Sequence, residues 1–143
     1  LAIGRVYLAL ERWDEAGRAF RKALERDPEN AAACLGLART ALAGSRWEDA
    51  MASALEAIDL DRARPEAHFA LAEALLGQER LSLAADVLRT CLSLDAGHRE
   101  AWRVLGQICR SLGEDEEAAA CEQRVTRLDA VRDVSRQAGA LRR

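Results

Sequence analysis

Proline, histidine and aromatic residues are scarce in this 143-residue chain: two prolines, two histidines and 4% aromatics. Nine glycines complete the short set of breakers. The apolar half of the composition therefore rests on Ala and Leu, which head the helix-propensity ranking and favour closely packed helices. Lysine is nearly absent as well. Lys22 stands alone among 21 basic residues, an arginine bias of GC-rich coding that points to a bacterial source. There is no positive excess: the net charge is -3 and the pI about 5.5, which argues against a nucleic-acid partner. No apolar run approaches the roughly 18 uncharged residues that a membrane span needs. No secretory signal is visible, but residue 1 is Leu and lies inside a pattern already under way. The expectation is a piece of a longer protein, cytoplasmic by default.

Catalytic and metal-binding constellations are missing too. Cys34, Cys91, Cys109 and Cys121 contain no C-x-x-C pair, so neither a zinc site nor a dense disulfide framework is expected. They occupy columns otherwise filled mainly by Ala, Leu or similar core residues, as buried free thiols do. A reducing compartment suits them, and a Cys91–Cys109 bridge across repeats has nothing to support it. His68 and His98 have no partner at ligand spacing. No phosphate-binding glycine loop, nucleophile elbow or H-E-x-x-H occurs. The run Glu114-Asp115-Glu116-Glu117 reads as the acidic opening of a helix, where it opposes the dipole. No enzyme activity, cofactor or metal is expected.

What the chain has is a period. Asp27, Asp61, Asp95 and Asp129 stand 34 residues apart. Small residues recur with them in two columns: Ala16, Ala50, Ala84 and Ala118, and Gly4, Ala38, Ala72 and Gly106. A fixed period of this length marks a stacked repeat. Within a unit the apolar spacing is helical twice. Cys34, Leu37, Ala38 and Ala41 make one stripe, and Trp47, Ala50, Ala54, Ala57 and Ile58 the next. Short breaks such as Ala43-Gly44-Ser45-Arg46 separate the stripes, so each unit is an antiparallel helical hairpin. The Asp column belongs to the joints between units, where Asp accepts from turn backbone. The small columns let helix backbones approach closely.

The fourth unit departs, with Glu122 and Thr126 at positions that are apolar in the others, as an uncovered terminal repeat requires. Beyond it, Val131, Val134, Ala138 and Leu141 suggest a final helix that covers the last hairpin. Units of about 1–30, 31–64, 65–98 and 99–132, with a capping helix over about 130–143, form a single domain.

These columns resemble the tetratricopeptide repeat. Gly4, Tyr7, Ala16, Phe20, Ala23 and Pro28 fit its pattern one by one, and Trp102, Leu105 and Gly106 fit its opening in the fourth unit. The related pentatricopeptide repeat, which binds RNA, is disfavoured by the Gly, Tyr, Phe and Pro columns and the acidic balance. The resemblance implies an all-α, right-handed superhelical solenoid whose first helices line a concave face that commonly receives a peptide or a partner's helix. Mapped onto this chain, the face presents Leu1, Leu35, Phe69 and Arg103 in one row. Arg5, Arg39, Glu73 and Gln107 form the second, and Leu8, Leu42, Leu76 and Arg110 the third. Apolar anchors from Leu35, Leu42, Phe69 and Leu76 would hold an amphipathic segment. Arg5, Arg39, Glu73, Arg103 and Gln107 would set its register, with the arginines pairing to acids of the ligand.

The family's basic and Asn clamp for chaperone-tail carboxylates is not present, since only Arg5 matches it. Three readings of use remain open. The chain is an interaction scaffold for a protein or peptide, an accessory or regulatory domain of a larger enzyme, or a homo-oligomer formed through its terminal repeats.

Overall fold

The structure is a computed structural model and describes residues 12–142. Among the described residues seven helices follow one another: α1 (Trp13–Arg26), α2 (Ala31–Ala43), α3 (Trp47–Leu60), α4 (Pro65–Gly77), α5 (Leu81–Leu94), α6 (Arg99–Ser111) and α7 (Asp115–Leu141). No strand occurs among these residues. The expected opening helix, with Leu1, Arg5 and Leu8, lies outside them. So does part of the first unit, one of the terminal repeats expected to support oligomerisation.

Each helix packs on the next, and α2 also packs directly on α4. The small columns make this possible. Ala16, Ala50, Ala84 and Ala118 are wholly buried, as are Ala38 and Ala72. A Cβ added at Gly106 would stand 3.1 Å from that of Cys121, so even one methyl would press the fourth hairpin apart. One continuous core runs from Cys34 to Cys121, with Leu88 at zero exposure. All four cysteines are free and buried in it or at its ends. The Cys91 thiol donates to the Pro65 carbonyl oxygen at 3.4 Å. Burial pushes the Cys91 and Cys109 thiols up to about 11, so they behave as apolar filler rather than nucleophiles.

Both kinds of connection repeat their chemistry. In the joints, Asp27, Asp61 and Asp95 accept from the backbone N–H two residues on, in Glu29, Ala63 and Gly97, at 3.0–3.2 Å. In the hairpin turns, Ser45, Glu79 and Gly113 occupy one column and all have positive φ, 55°, 60° and 80°. The following N–H reaches back five residues each time: Arg46 to Ala41, Arg80 to Leu75 and Glu114 to Cys109, at 2.8–2.9 Å. This closes the free carbonyls at the helix end. Only Gly113 adopts the left-handed conformation without a side-chain penalty. Gly113→Ala is expected to cost about 1 kcal/mol although nothing lies within 4 Å of the added methyl. Thermal unfolding checks this, and an unchanged midpoint would show that the turn tolerates another conformation.

The last segment differs from the expected capping helix. Residues 130–141 do not turn back over the hairpin but continue α7 to a length of 27 residues. In the first three units the Asp is followed by turn formers or a loop that leads into a new cap. Asp129 is followed by Ala130-Val131-Arg132, which propagate a helix. Its carboxylate does not bind the turn backbone. It accepts from Arg99 Nε at 2.6 Å and is tied to α6. Val131, Val134 and Leu141 consequently remain 65%, 65% and 88% exposed.

Candidate partner-binding groove

Because α2 and α4 pack closely, the space between first helices opens further along, between α4 and α6. A cavity of about 460 Å³ lies there. From α4, Phe69, Glu73 and Leu76 face it, at the i, i+4 and i+7 spacing of one helical stripe. Across from them stand Glu100, Arg103, Val104 and Gln107 of α6, and Leu42 and Trp47 close one end. An adjoining cavity of about 330 Å³ continues along α6 past Arg103 and Gln107 to Arg110 and Glu122.

Local structure holds these side chains in place. The Phe69 ring lies against the imidazole of His98, with centroids 4.9 Å apart and planes tilted by 36°. His98 is itself fixed as the N-cap of α6, where its Nδ1 accepts from the Ala101 N–H at 3.1 Å. Asn30 caps α2 in the same column, its side-chain oxygen accepting from Ala33 at 3.0 Å. Trp47 leans over the end of α4. A Cβ on Gly77 would come within 2.2 Å of its ring, so the indole can seat there only because residue 77 is glycine.

The charges of the groove are not equivalent. Glu100 accepts from Arg103 at 2.7 Å, and that guanidinium holds its carboxyl below the usual range. Arg110 donates to Glu122 at 2.6 Å. The basic end of the groove is thus internally neutralised, and both arginines would have to leave a partner to meet a ligand. Glu73 has no hydrogen bond or ion pair among the described residues. Burial pushes its carboxyl upward, and the pull of Arg39 and Arg103 does not compensate.

The structure therefore gathers Leu42, Phe69, Glu73, Leu76, Arg103 and Gln107 around one cavity. Arg39 is exposed on α2, within electrostatic reach of Glu73. Leu35 departs from its expected place. It is 5% exposed and belongs to the core, so it offers no anchor. Arg5 lies outside the described residues. Sequence reading missed Trp47, Glu100 and Val104, although the glycine at the end of α4 was an available sign that an aromatic seats there.

The remaining candidates for chemistry have structural occupations. His68 is buried and donates its Nε2 hydrogen to the Arg62 carbonyl at 3.0 Å. Cys109, Glu114 and Glu117 bring donor atoms within 4.8 Å of one another. Arg89 already binds Glu117 at 2.9 Å and Glu114 at 3.5 Å, and a thiol raised to about 11 resists the deprotonation a metal needs.

Comparison with known proteins settles the ancestry of this architecture. A tetratricopeptide-repeat family model matches residues 1–68 and 69–132. The chain belongs to the tetratricopeptide-repeat family. Its described helices form the family's right-handed superhelical solenoid of antiparallel hairpins. Among solved structures, a crystal structure of MamA is similar, with 27% identity and a TM-score of 0.78 over 88% of this chain and 74% of that one. TTC0263, a thermophilic TPR protein of Thermus thermophilus, has 23% identity and a TM-score of 0.81 over 91% and 73%. The first TPR domain of human RPAP3 has 23% identity and a TM-score of 0.74 over 79% and 89%. Curated protein sequences give no significant match. Among the described residues of this TPR chain, no helix is long and apolar enough to cross a membrane.

Proposed function

We propose that this is a non-catalytic protein–protein interaction module that captures a peptide or helical segment of a partner protein in the groove between α4 and α6. The observation that carries the reading is a half-buried aromatic, Phe69, held against His98 at 4.9 Å on the wall of the cavity between α4 and α6. A fixed aromatic over a concave apolar surface is the usual form of a binding hot spot. Leu42, Trp47, Leu76 and Val104 supply the surrounding apolar wall. Arg39, Glu73, Arg103 and Gln107 give the segment its register. The partner is a protein rather than nucleic acid, since the net charge is -3 and the groove pairs most of its own cations. Micromolar affinity suits a surface of this size. A cytoplasmic setting fits the four free thiols.

A pull-down from native lysate tests the reading. It compares the unaltered chain with a Phe69→Glu, Arg39→Glu variant and with Leu55→Glu, which alters a side chain 45% exposed on α3. Equal helicity is checked first by circular dichroism. A partner kept by Leu55→Glu and lost by the groove variant supports the reading. A partner kept by all three chains moves the interface elsewhere.

The bare stripe of Val131, Val134 and Leu141 favours a second reading, in which the module docks on a catalytic domain and acts as an accessory unit. Capture of such a domain by the groove variant, lost on Val131→Glu, would distinguish it.

A further inference from the structure

We infer that the captured segment carries a lysine or arginine that enters the groove between apolar anchors and pairs with Glu73. The inference rests on the groove reading above and specifies the chemistry of its ligand. Glu73 lies on α4 one turn from Phe69 and one turn from Leu76, so its carboxylate interrupts an otherwise apolar stripe. The charged groups facing it are Arg39 from α2 and Glu100 and Arg103 from α6; Trp47, the residue of α3 in the groove, is uncharged. Arg103 is committed to Glu100 at 2.7 Å, and Arg39 makes no ion pair with any described residue. Glu73 therefore makes no hydrogen bond or ion pair among the described residues.

Glu73 is half-buried, and a carboxylate partly withdrawn from water and left unpaired is costly. Its upward-shifted carboxyl shows that the neighbouring guanidiniums do not offset that cost. A ligand cation would supply the missing charge-assisted hydrogen bonds. The methylene stem of Lys or Arg would lie along Phe69 and Leu76 on its way in. A ligand carboxylate at this point would meet both Glu73 and Glu100, and an aliphatic side chain would complete the desolvation of Glu73 without pairing it.

Selection from a displayed library of helical peptides of about 16 residues, roughly four turns, tests the inference on the full chain. Peptides that also bind Phe69→Glu are discarded. The expected survivors share one Lys or Arg with apolar residues three or four places to either side. Changing that residue to Gln should weaken binding about tenfold or more to the unaltered chain, as for a charge-assisted hydrogen bond, read by fluorescence polarisation. The same change should make no difference on Glu73→Gln, and Glu73→Lys should select acidic peptides instead. Groove-dependent peptides without a basic residue would overturn the inference while leaving the groove reading intact. So would a Lys-to-Gln loss of equal size on Glu73→Gln. If every selected peptide binds Phe69→Glu as well, the groove reading falls and this inference with it.

Discussion

Leu88→Ala is expected to destabilise the chain by about 3 kcal/mol, within the range of roughly 2–5 kcal/mol for truncating a buried leucine. Leu88 has zero exposure at the centre of α5 and belongs to the core that joins α2 to α7. Its neighbours on α5 are Ala84, Ala85, Cys91 and Leu92, all buried, and three of these four side chains are too short to reach into the space left behind. The cost should therefore include most of the cavity term as well as the lost transfer energy. Because α5 packs on both α4 and α6, the two walls of the groove, the lesion should also weaken partner binding although Leu88 itself is wholly buried. Urea unfolding measures the first effect as a lower midpoint with an unchanged slope. A loss below about 1 kcal/mol would mean that the solenoid collapses around the gap, contrary to the tight packing its alanine columns imply.

Phe69→Ala should cost stability moderately, since the ring packs partly on the core, and binding severely. The ring is only half-buried and its contact with His98 is a tilted pair of the kind worth about 0.5–1.5 kcal/mol. In the groove it is the largest apolar group on α4, flanked by Glu73 and Leu76, and a hot-spot aromatic of this type contributes roughly 2–4 kcal/mol on truncation. Affinity for the captured partner should thus fall about 30-fold to 1,000-fold, measured by calorimetry. Leu76→Ala should fall by less, since Leu76 brings a smaller apolar side chain to the groove than Phe69 does. A loss of less than threefold for Phe69→Ala would place the energetic centre of the interface elsewhere.

The architecture was legible because its causes recur. A period repeated four times averages out local noise, and each column has a mechanical reason: alanine where helices touch, aspartate where a turn needs an acceptor. The left-handed column of Ser45, Glu79 and Gly113 was less visible, since only Gly113 advertises its φ. The end of α7 departs from expectation for a related reason. Asp129 keeps the column but not the turn. Whether an aspartate ends a helix depends on the residues after it, here Ala130 to Arg132, and on Arg99, 30 residues upstream.

The groove was legible in its position and less so in its chemistry. Helical spacing gives a stripe, but the surroundings change along it: Leu35 and Leu42 stand seven residues apart on one stripe of α2, yet Leu35 went to the core while Leu42 reached the cavity. The neutralisation of Arg103 by Glu100 is local, at i and i+3, and was available from sequence. That of Arg110 by Glu122 spans the last hairpin and depends on its register. Glu73 stays unpaired because Arg103 is held by Glu100 and Arg39 makes no ion pair with it, a combination that no single column displays.

Hydrogen–deuterium exchange of the chain alone and with its captured native partner tests the central claim most directly. The groove account predicts slowed exchange in segments of α4 and α6 that carry Phe69, Leu76 and Val104, and at the α2–α3 turn beside Leu42 and Trp47. It predicts no change along the outer faces of α3 and α5, where Leu55 and Leu83 are 45% and 51% exposed. Protection confined to those outer faces or to the end of α7, with α4 and α6 unchanged, would contradict it.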